Sequence, residues 1–164
     1  MEEDAIRKLQ SDNGKIFEIE ESCLVIHKFM KEFLEDFPKK EDLIPIKEVN
    51  DKTLGRIVEF LKHYKNTDPK PIPCPIPTFP IELKPILDDW DYKFITSIEL
   101  IEAIDLVNAA NVLNIQPLID LASARIAYEF TNCSIEEARK KFGIQSDMTQ
   151  EEQEEMNKYL KYLD

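Results

Sequence analysis

The first part of the chain alternates short apolar runs with polar turns. Two β-compatible runs, Ile6–Gln10 and residues 16–19, flank Ser11-Asp12-Asn13-Gly14. Asn-Gly is a strong hairpin signal because both residues tolerate a positive φ. The pattern therefore predicts a β-hairpin near the N-terminus.

Beyond this hairpin the apolar spacing becomes helical. A first helix is predicted from about Ser22 to a stop at Pro38. The run Leu43-Ile44-Pro45-Ile46 is apolar, but its proline restricts it to a sheet edge or a strand end. Asn50 is a suitable N-cap for a second helix. The apolar stripe of that helix is Leu54, Ile57, Val58, Leu61 and Tyr64. The first 65 residues are thus predicted to be β-β-α-β-α.

Prolines interrupt the periodicity in the middle of the chain. Seven of the ten prolines lie between Pro69 and Pro85, and four alternate from Pro71 to Pro77. Missing backbone donors at this density exclude a helix or a central strand. We therefore expect a polyproline-like connector.

Helical spacing returns after Trp90, where four helices are predicted. Ser97 is placed to cap the first, which carries Leu100, Ile104, Val107 and Asn111. Pro117 is placed as the first residue of the second, which carries Leu118, Leu121, Ala122 and Ile126. The capping boxes Ser134-x-x-Glu137 and Thr149-x-x-Glu152 begin the third and fourth.

Composition narrows the possible functions. The 164 residues carry 21 Lys and Arg against 33 Asp and Glu, a net charge of −12. This negative charge argues against nucleic acid or an anionic membrane as the main partner, because both are themselves negatively charged. The sequence contains no run of 18 apolar residues, so no membrane span is predicted. The acidic start is unlike a secretory signal, and the three cysteines are odd in number, so we expect reduced thiols in the cytoplasm or nucleus.

No catalytic, cofactor or metal site is predicted. His27 and His63 lack cysteine or carboxylate partners at ligand spacing, so a structural role is favoured. The acidic run 151–155 lacks the turn glycine of a calcium loop and is typical of a first helical turn. The last helix carries Met156, Tyr159, Leu160 and Leu163, with Tyr162 beside them, and these residues either pack on preceding helices or bind a partner.

Several segments resemble the S-phase kinase-associated protein 1 family, adaptors of SCF-type ubiquitin ligases. The strongest is Ala109-Ala-Asn-Val-Leu-Asn-Ile-Gln-Pro-Leu-Ile-Asp-Leu121, followed by the stretch from Cys133 to Thr149. Residues 11–19, 33–36 and 90–91 match in the same order. The resemblance covers almost the whole chain.

The resemblance implies an α+β BTB/POZ-like domain, with a short, mainly antiparallel sheet and helices, plus a C-terminal all-helical extension. The implied parts are a BTB/POZ-like N-terminal part at 1–67, a proline-rich connector at 68–90, helices completing the domain at 91–130, and an F-box-binding extension at 131–164. The implied function is to bridge an F-box protein to a cullin without catalysis.

The resemblance also implies two sets of contact residues. Asn111 and Val112 match the family's cullin-facing Asn-Tyr pair. The F-box-facing residues it implies are Ile119, Ile126, Phe130, Ala138, Phe142, Ile144, Met156, Tyr159 and Tyr162. A homodimer is expected when no partner is bound.

Two departures from the family mark a divergent member. Val112 replaces a tyrosine, an aromatic anchor of the kind that dominates interface energetics, which puts cullin affinity or choice in question. Ile135 replaces a proline that some protist relatives hydroxylate and glycosylate, so that modification is excluded there. Alternative functions are an elongin C-like or general BTB interaction module and a small acid-base enzyme with paired carboxylates. Residues 131–164 favour the SCF adaptor over the elongin C-like module.

Overall fold

A computed structural model describes residues 4–25, 37, 39, 42–77, 81–144 and 149–160. These residues contain three strands and seven helices. The strands are β1 (Ile6–Gln10), β2 (Ile16–Glu20) and β3 (Leu43–Pro45). The helices are α1 (Glu21–Val25), α2 (Asp51–His63), α3 (Asp89–Thr96), α4 (Leu100–Val112), α5 (Gln116–Thr131), α6 (Ile135–Phe142) and α7 (Gln150–Leu160).

The three strands form one sheet in the order β2-β1-β3. The predicted hairpin is confirmed, because β1 and β2 pair antiparallel with Leu9 opposite Phe17. Its turn uses a positive φ of 87° at Gly14, which glycine adopts without steric cost. The strand β3 pairs in parallel with the other side of β1, with Ile44 opposite Leu9. Pro45 therefore lies on an edge strand, as predicted.

One face of the sheet is covered by α2. Leu9, Ile19 and Ile44 are at most 1% exposed, and α2 buries the predicted stripe against the same core. The backbone N–H of Thr53 donates to Asn50 Oδ1 at 2.9 Å, which confirms the predicted cap. The helix expected up to Pro38 is described only as α1, and its remainder, with His27, lies outside the described residues.

The connector contributes to the hydrophobic core although it lacks regular structure. Between His63 and Asp89 the described residues form no helix or strand. Ile81, Leu83 and Leu87 are nevertheless buried, and Ile72 and Ile76 pack against the core. Prolines therefore remove backbone pairing here without removing side-chain burial.

The second half of the chain contains five described helices, one more than predicted. The additional helix is α3, and Ser97 ends it instead of capping α4: its hydroxyl donates to the Phe94 carbonyl oxygen at 2.7 Å. The N-cap residue of α4 is Glu99. Helix α5 begins at Gln116, so Pro117 is its second residue, still within the first turn, where N–H groups have no helical partner. Both predicted capping boxes are confirmed.

The chain divides into two compact units, residues 1–131 and residues 132–164. The first unit holds the sheet, helices α1 to α5 and the main hydrophobic core. The second holds α6 and α7. This architecture confirms the α+β fold class with a helical C-terminal part; one strand pairing is antiparallel and the other parallel.

Candidate protein-interaction surfaces

The end of α4 presents one polar and one apolar side chain to solvent. Asn111 is exposed, and Val112 is 53% exposed. The helix stops directly afterwards because Asn114 adopts a left-handed φ of 54° and the Ile115 N–H donates to the Ala110 carbonyl oxygen at 2.8 Å. The helix end therefore holds the predicted cullin-facing pair at the surface.

Helix α4 carries further apolar surface that the sequence reasoning did not select. Its inner face buries Ala103, Leu106 and Ala110, whereas Ile101, on another face, is 59% exposed. Leu100, Ile104 and Val107 are half-buried. A helix that is apolar on more than one face is typical of a helix that packs on more than one side. The apolar residues on several faces of α4 could already be seen in the sequence.

Helix α5 brings three of the predicted F-box-facing residues onto one face. Ile119, Ile126 and Phe130 are spaced by seven and four residues, which keeps them on the same side of a helix. Ile119 and Ile126 are half-buried and pack partly against the core, while Phe130 is 43% exposed. The opposite side buries Leu118 and Leu121. This face is thus fixed to the core while remaining accessible.

In the second unit, capping sets the limits of α6. The Ser134 hydroxyl accepts from the Glu137 N–H, and the Glu137 carboxylate accepts from the Ser134 N–H at 2.8 Å. The carboxylate also accepts from the Ser134 hydroxyl at 3.1 Å, and the two hydrogen bonds that it accepts, from the N–H and from the hydroxyl, lower the pKa of Glu137. Gly143 ends the helix in a left-handed conformation with a φ of 63°. Among the predicted residues Ala138 is buried, Phe142 is half-buried and Ile144 is 52% exposed.

Helix α7 presents a largely exposed aromatic residue. Thr149 and Glu152 repeat the capping box at its start. Met156 is half-buried and Tyr159, three residues later, is 66% exposed. Tyr162, also predicted to face the F-box, lies outside the described residues.

The charged groups buried in the first unit have contacts typical of structural roles. Glu102, 7% exposed, accepts from Lys52 Nζ at 2.8 Å and from Arg56 Nε at 3.3 Å, which joins α2 to α4. The Tyr64 hydroxyl donates to Asp91 Oδ1 at 2.7 Å and joins α2 to α3. His63 stacks on Trp90 with 3.7 Å between the ring centroids.

Metal-binding clusters and membrane-spanning helices are absent from the part of the chain that the structure describes. No group of three or more His, Cys, Asp or Glu side chains there is arranged to hold a metal ion. Among the described helices, none combines the length and the apolar content needed to cross a membrane.

The fold and its exposed apolar helix faces define a POZ-like α+β protein with a helical C-terminal part. Two family models match the chain: "Skp1 family, tetramerisation domain" over residues 6–66 and "Skp1 family, dimerisation domain" over residues 116–161. The chain belongs to the Skp1 family.

Similar proteins match over nearly their whole length. An S-phase kinase-associated protein 1 homolog of Tetrahymena thermophila is 33% identical, over 96% of this chain and 93% of the relative. The E3 ubiquitin ligase complex SCF subunit sconC of Talaromyces marneffei is 30% identical, over 92% and 91%. SKP1-like protein 18 of Arabidopsis thaliana is 34% identical, over 92% and 90%.

Proposed function

We propose that this chain is the adaptor subunit of an SCF-type cullin-RING E3 ubiquitin ligase. It bridges F-box substrate receptors to a cullin scaffold for ubiquitin-dependent degradation and performs no catalysis itself. The observation that carries this proposal is the end-to-end similarity to a relative named as an SCF subunit. Accessible residues at the end of α4 and on α5, α6 and α7 support the proposal, because partners could contact them.

The mechanism is positional. The cullin-facing surface consists of Asn111 and Val112. The F-box-facing residues are Ile119, Ile126 and Phe130 in the first unit and Ala138, Phe142, Ile144, Met156, Tyr159 and Tyr162 in the second. A substrate bound to the F-box protein then meets the ubiquitin-transfer end of the complex at high effective concentration.

We also propose how the chain associates without a partner and where in the cell it acts. Without an F-box partner, the apolar faces of two copies associate into a homodimer. The adaptor acts in the cytoplasm or nucleus, supported by the odd number of cysteines, three, which fits no paired disulfide framework.

The first experiment removes residues 149–164. We expect weaker binding to an F-box domain encoded by the same genome, because Met156 and Tyr159 are lost, and unchanged cullin binding. Titration calorimetry with each purified partner measures both affinities. Undiminished F-box affinity of the truncated chain would show that α7 is not part of the surface.

The second experiment changes Val112. Val112→Tyr adds an aromatic anchor at a site already 53% exposed and should tighten cullin binding. Val112→Asp should weaken it, because a charge is then desolvated in the contact. F-box affinity is the internal control for both variants. If neither variant alters cullin affinity, residue 112 does not face the cullin.

A further inference from the structure

The connector segment from Ile72 to Ile76 forms a wall beside the F-box-facing side of α5. A pocket of about 230 Å³, here called the connector pocket, lies between the connector and α5. It is lined by Ile72, Cys74 and Ile76 of the connector and by Ser123, Ala124 and Ala127 of α5. Its lining is mostly apolar, and Asp120 at its border accepts a hydrogen bond from Gln116 Nε2 at 2.7 Å. The small side chains of Ala124 and Ala127 leave the space open.

The connector pocket adjoins the F-box-facing row. Ser123 lies four residues after Ile119 and three before Ile126, so the three residues are neighbours on one helix face. Ser123 is exposed and also lines the pocket. A chain lying along Ile119, Ile126 and Phe130 therefore passes the opening.

The volume limits what the pocket can hold. Pockets for drug-sized ligands usually measure about 300–1,000 Å³. A cavity of about 230 Å³ with an apolar lining suits one aliphatic or aromatic side chain.

The connector is suited to form a rigid wall. Its prolines fix φ, so little backbone entropy remains to be lost when a partner binds. Ile72 and Ile76 also pack against the core, which holds the wall in place before binding.

We propose that the connector pocket receives one apolar side chain of the F-box protein, so that the proline-rich connector helps to select the F-box partner. This inference rests on the proposed function and extends its F-box-facing surface.

The test measures the affinity of the full chain for the purified F-box domain of an F-box protein from the same genome, and for the cullin. Ile72→Ala with Ile76→Ala removes both isoleucine side chains of the wall, and Ser123→Leu fills the opening from an exposed position. We expect each change to weaken F-box binding about tenfold and to leave cullin binding unchanged. Ile6→Ala, at a 47% exposed isoleucine on β1, is the matched control and should alter neither affinity.

The outcomes separate the two proposals. If the unaltered chain binds the F-box domain and the Ser123→Leu variant binds equally well, the connector pocket is not used and the adaptor function stands. If the unaltered chain binds neither F-box domain nor cullin, the adaptor function fails and the inference fails with it. Should the double alanine variant unfold, as judged by circular dichroism, the single variants Ile72→Ala and Ile76→Ala take its place beside Ser123→Leu.

Discussion

At the scale of single residues, one carboxylate joins α2 to α4. Burial raises the pKa of Glu102, but hydrogen bonds from Lys52 and Arg56 outweigh burial, so its pKa is below the ordinary value of 4.5. A carboxylate with a lowered pKa stabilises the fold above its unfolded-state pKa. That contribution is lost as the pH falls through the lower pKa of the folded state.

Glu102→Gln should therefore lower the free energy of unfolding by about 1–2 kcal/mol at pH 7, because a buried charged acceptor is replaced. The difference from the unaltered protein should shrink below about pH 4. Denaturant unfolding at both pH values measures this. Glu59→Gln, which changes a 49% exposed partner of Arg56, is the control and should have little effect. Equal losses in the two variants would contradict the assigned role of Glu102.

A second buried pair, Tyr64 and Asp91, shows the opposite direction. Burial raises the pKa of Asp91, and the hydrogen bond from Tyr64 only partly offsets it. A carboxyl group with a raised pKa costs stability as the pH rises from its unfolded-state pKa to its folded-state pKa. Tyr64 limits this cost by donating to the ionised form.

Tyr64→Phe should destabilise the protein by about 1–3 kcal/mol at pH 7, since Asp91 loses a buried donor. The loss should be smaller at low pH, where Asp91 is protonated in the variant. Thermal unfolding from pH 4 to 8 follows the effect. Tyr159→Phe, at a 66% exposed tyrosine, is the matched control. A loss independent of pH would indicate altered packing instead of the lost donor.

At the scale of elements, the limits of α6 depend on its cap. Ser134→Ala removes the hydroxyl that accepts from the Glu137 N–H and should destabilise the helix by about 1 kcal/mol. Amide hydrogen exchange should then be faster across residues 135–142. Ser134→Thr keeps the hydroxyl and is the control. If the alanine variant exchanges like the threonine variant, the cap contributes nothing measurable.

Turn and cap residues predicted the features that depend only on neighbouring positions in the sequence. Gly14, Asn50, Ser134 and Thr149 each act through residues within a few positions, and all four signals are confirmed. The prediction that Ser97 caps α4 was wrong. A hydroxyl near a helix end can accept from an N–H of the following helix or donate to a carbonyl oxygen of the preceding one. The choice depends on whether a helix precedes it, and α3 had not been predicted.

Contacts between distant parts of the chain could not be derived in this way. The parallel pairing of β3 with β1 joins residues more than thirty positions apart, and no local pattern specifies it. The burial of Ile81 and Leu83 was missed because proline content reports on backbone pairing and not on side-chain packing. At the candidate site, helical spacing could group Ile119, Ile126 and Phe130, but the wall beside them comes from the connector.

At the scale of the whole molecule, the main core lies entirely within the first unit. Every residue of that core precedes Thr131. A chain ending at residue 131 should therefore keep a single cooperative unfolding transition while losing α6 and α7. Calorimetry of this fragment beside the full chain measures it. A fragment that unfolds gradually would show that the first unit requires the second.

The aromatic stack between α2 and α3 gives the molecule an internal reporter. Trp90 is the single tryptophan, and its ring lies on His63 and on Phe94 with centroid distances of 3.7 and 4.9 Å. Fluorescence excited at the indole band therefore comes from one place, where the connector enters α3. Loss of the first unit's structure will shift this emission. Folding of the first unit can thus be followed without a label while partners are titrated.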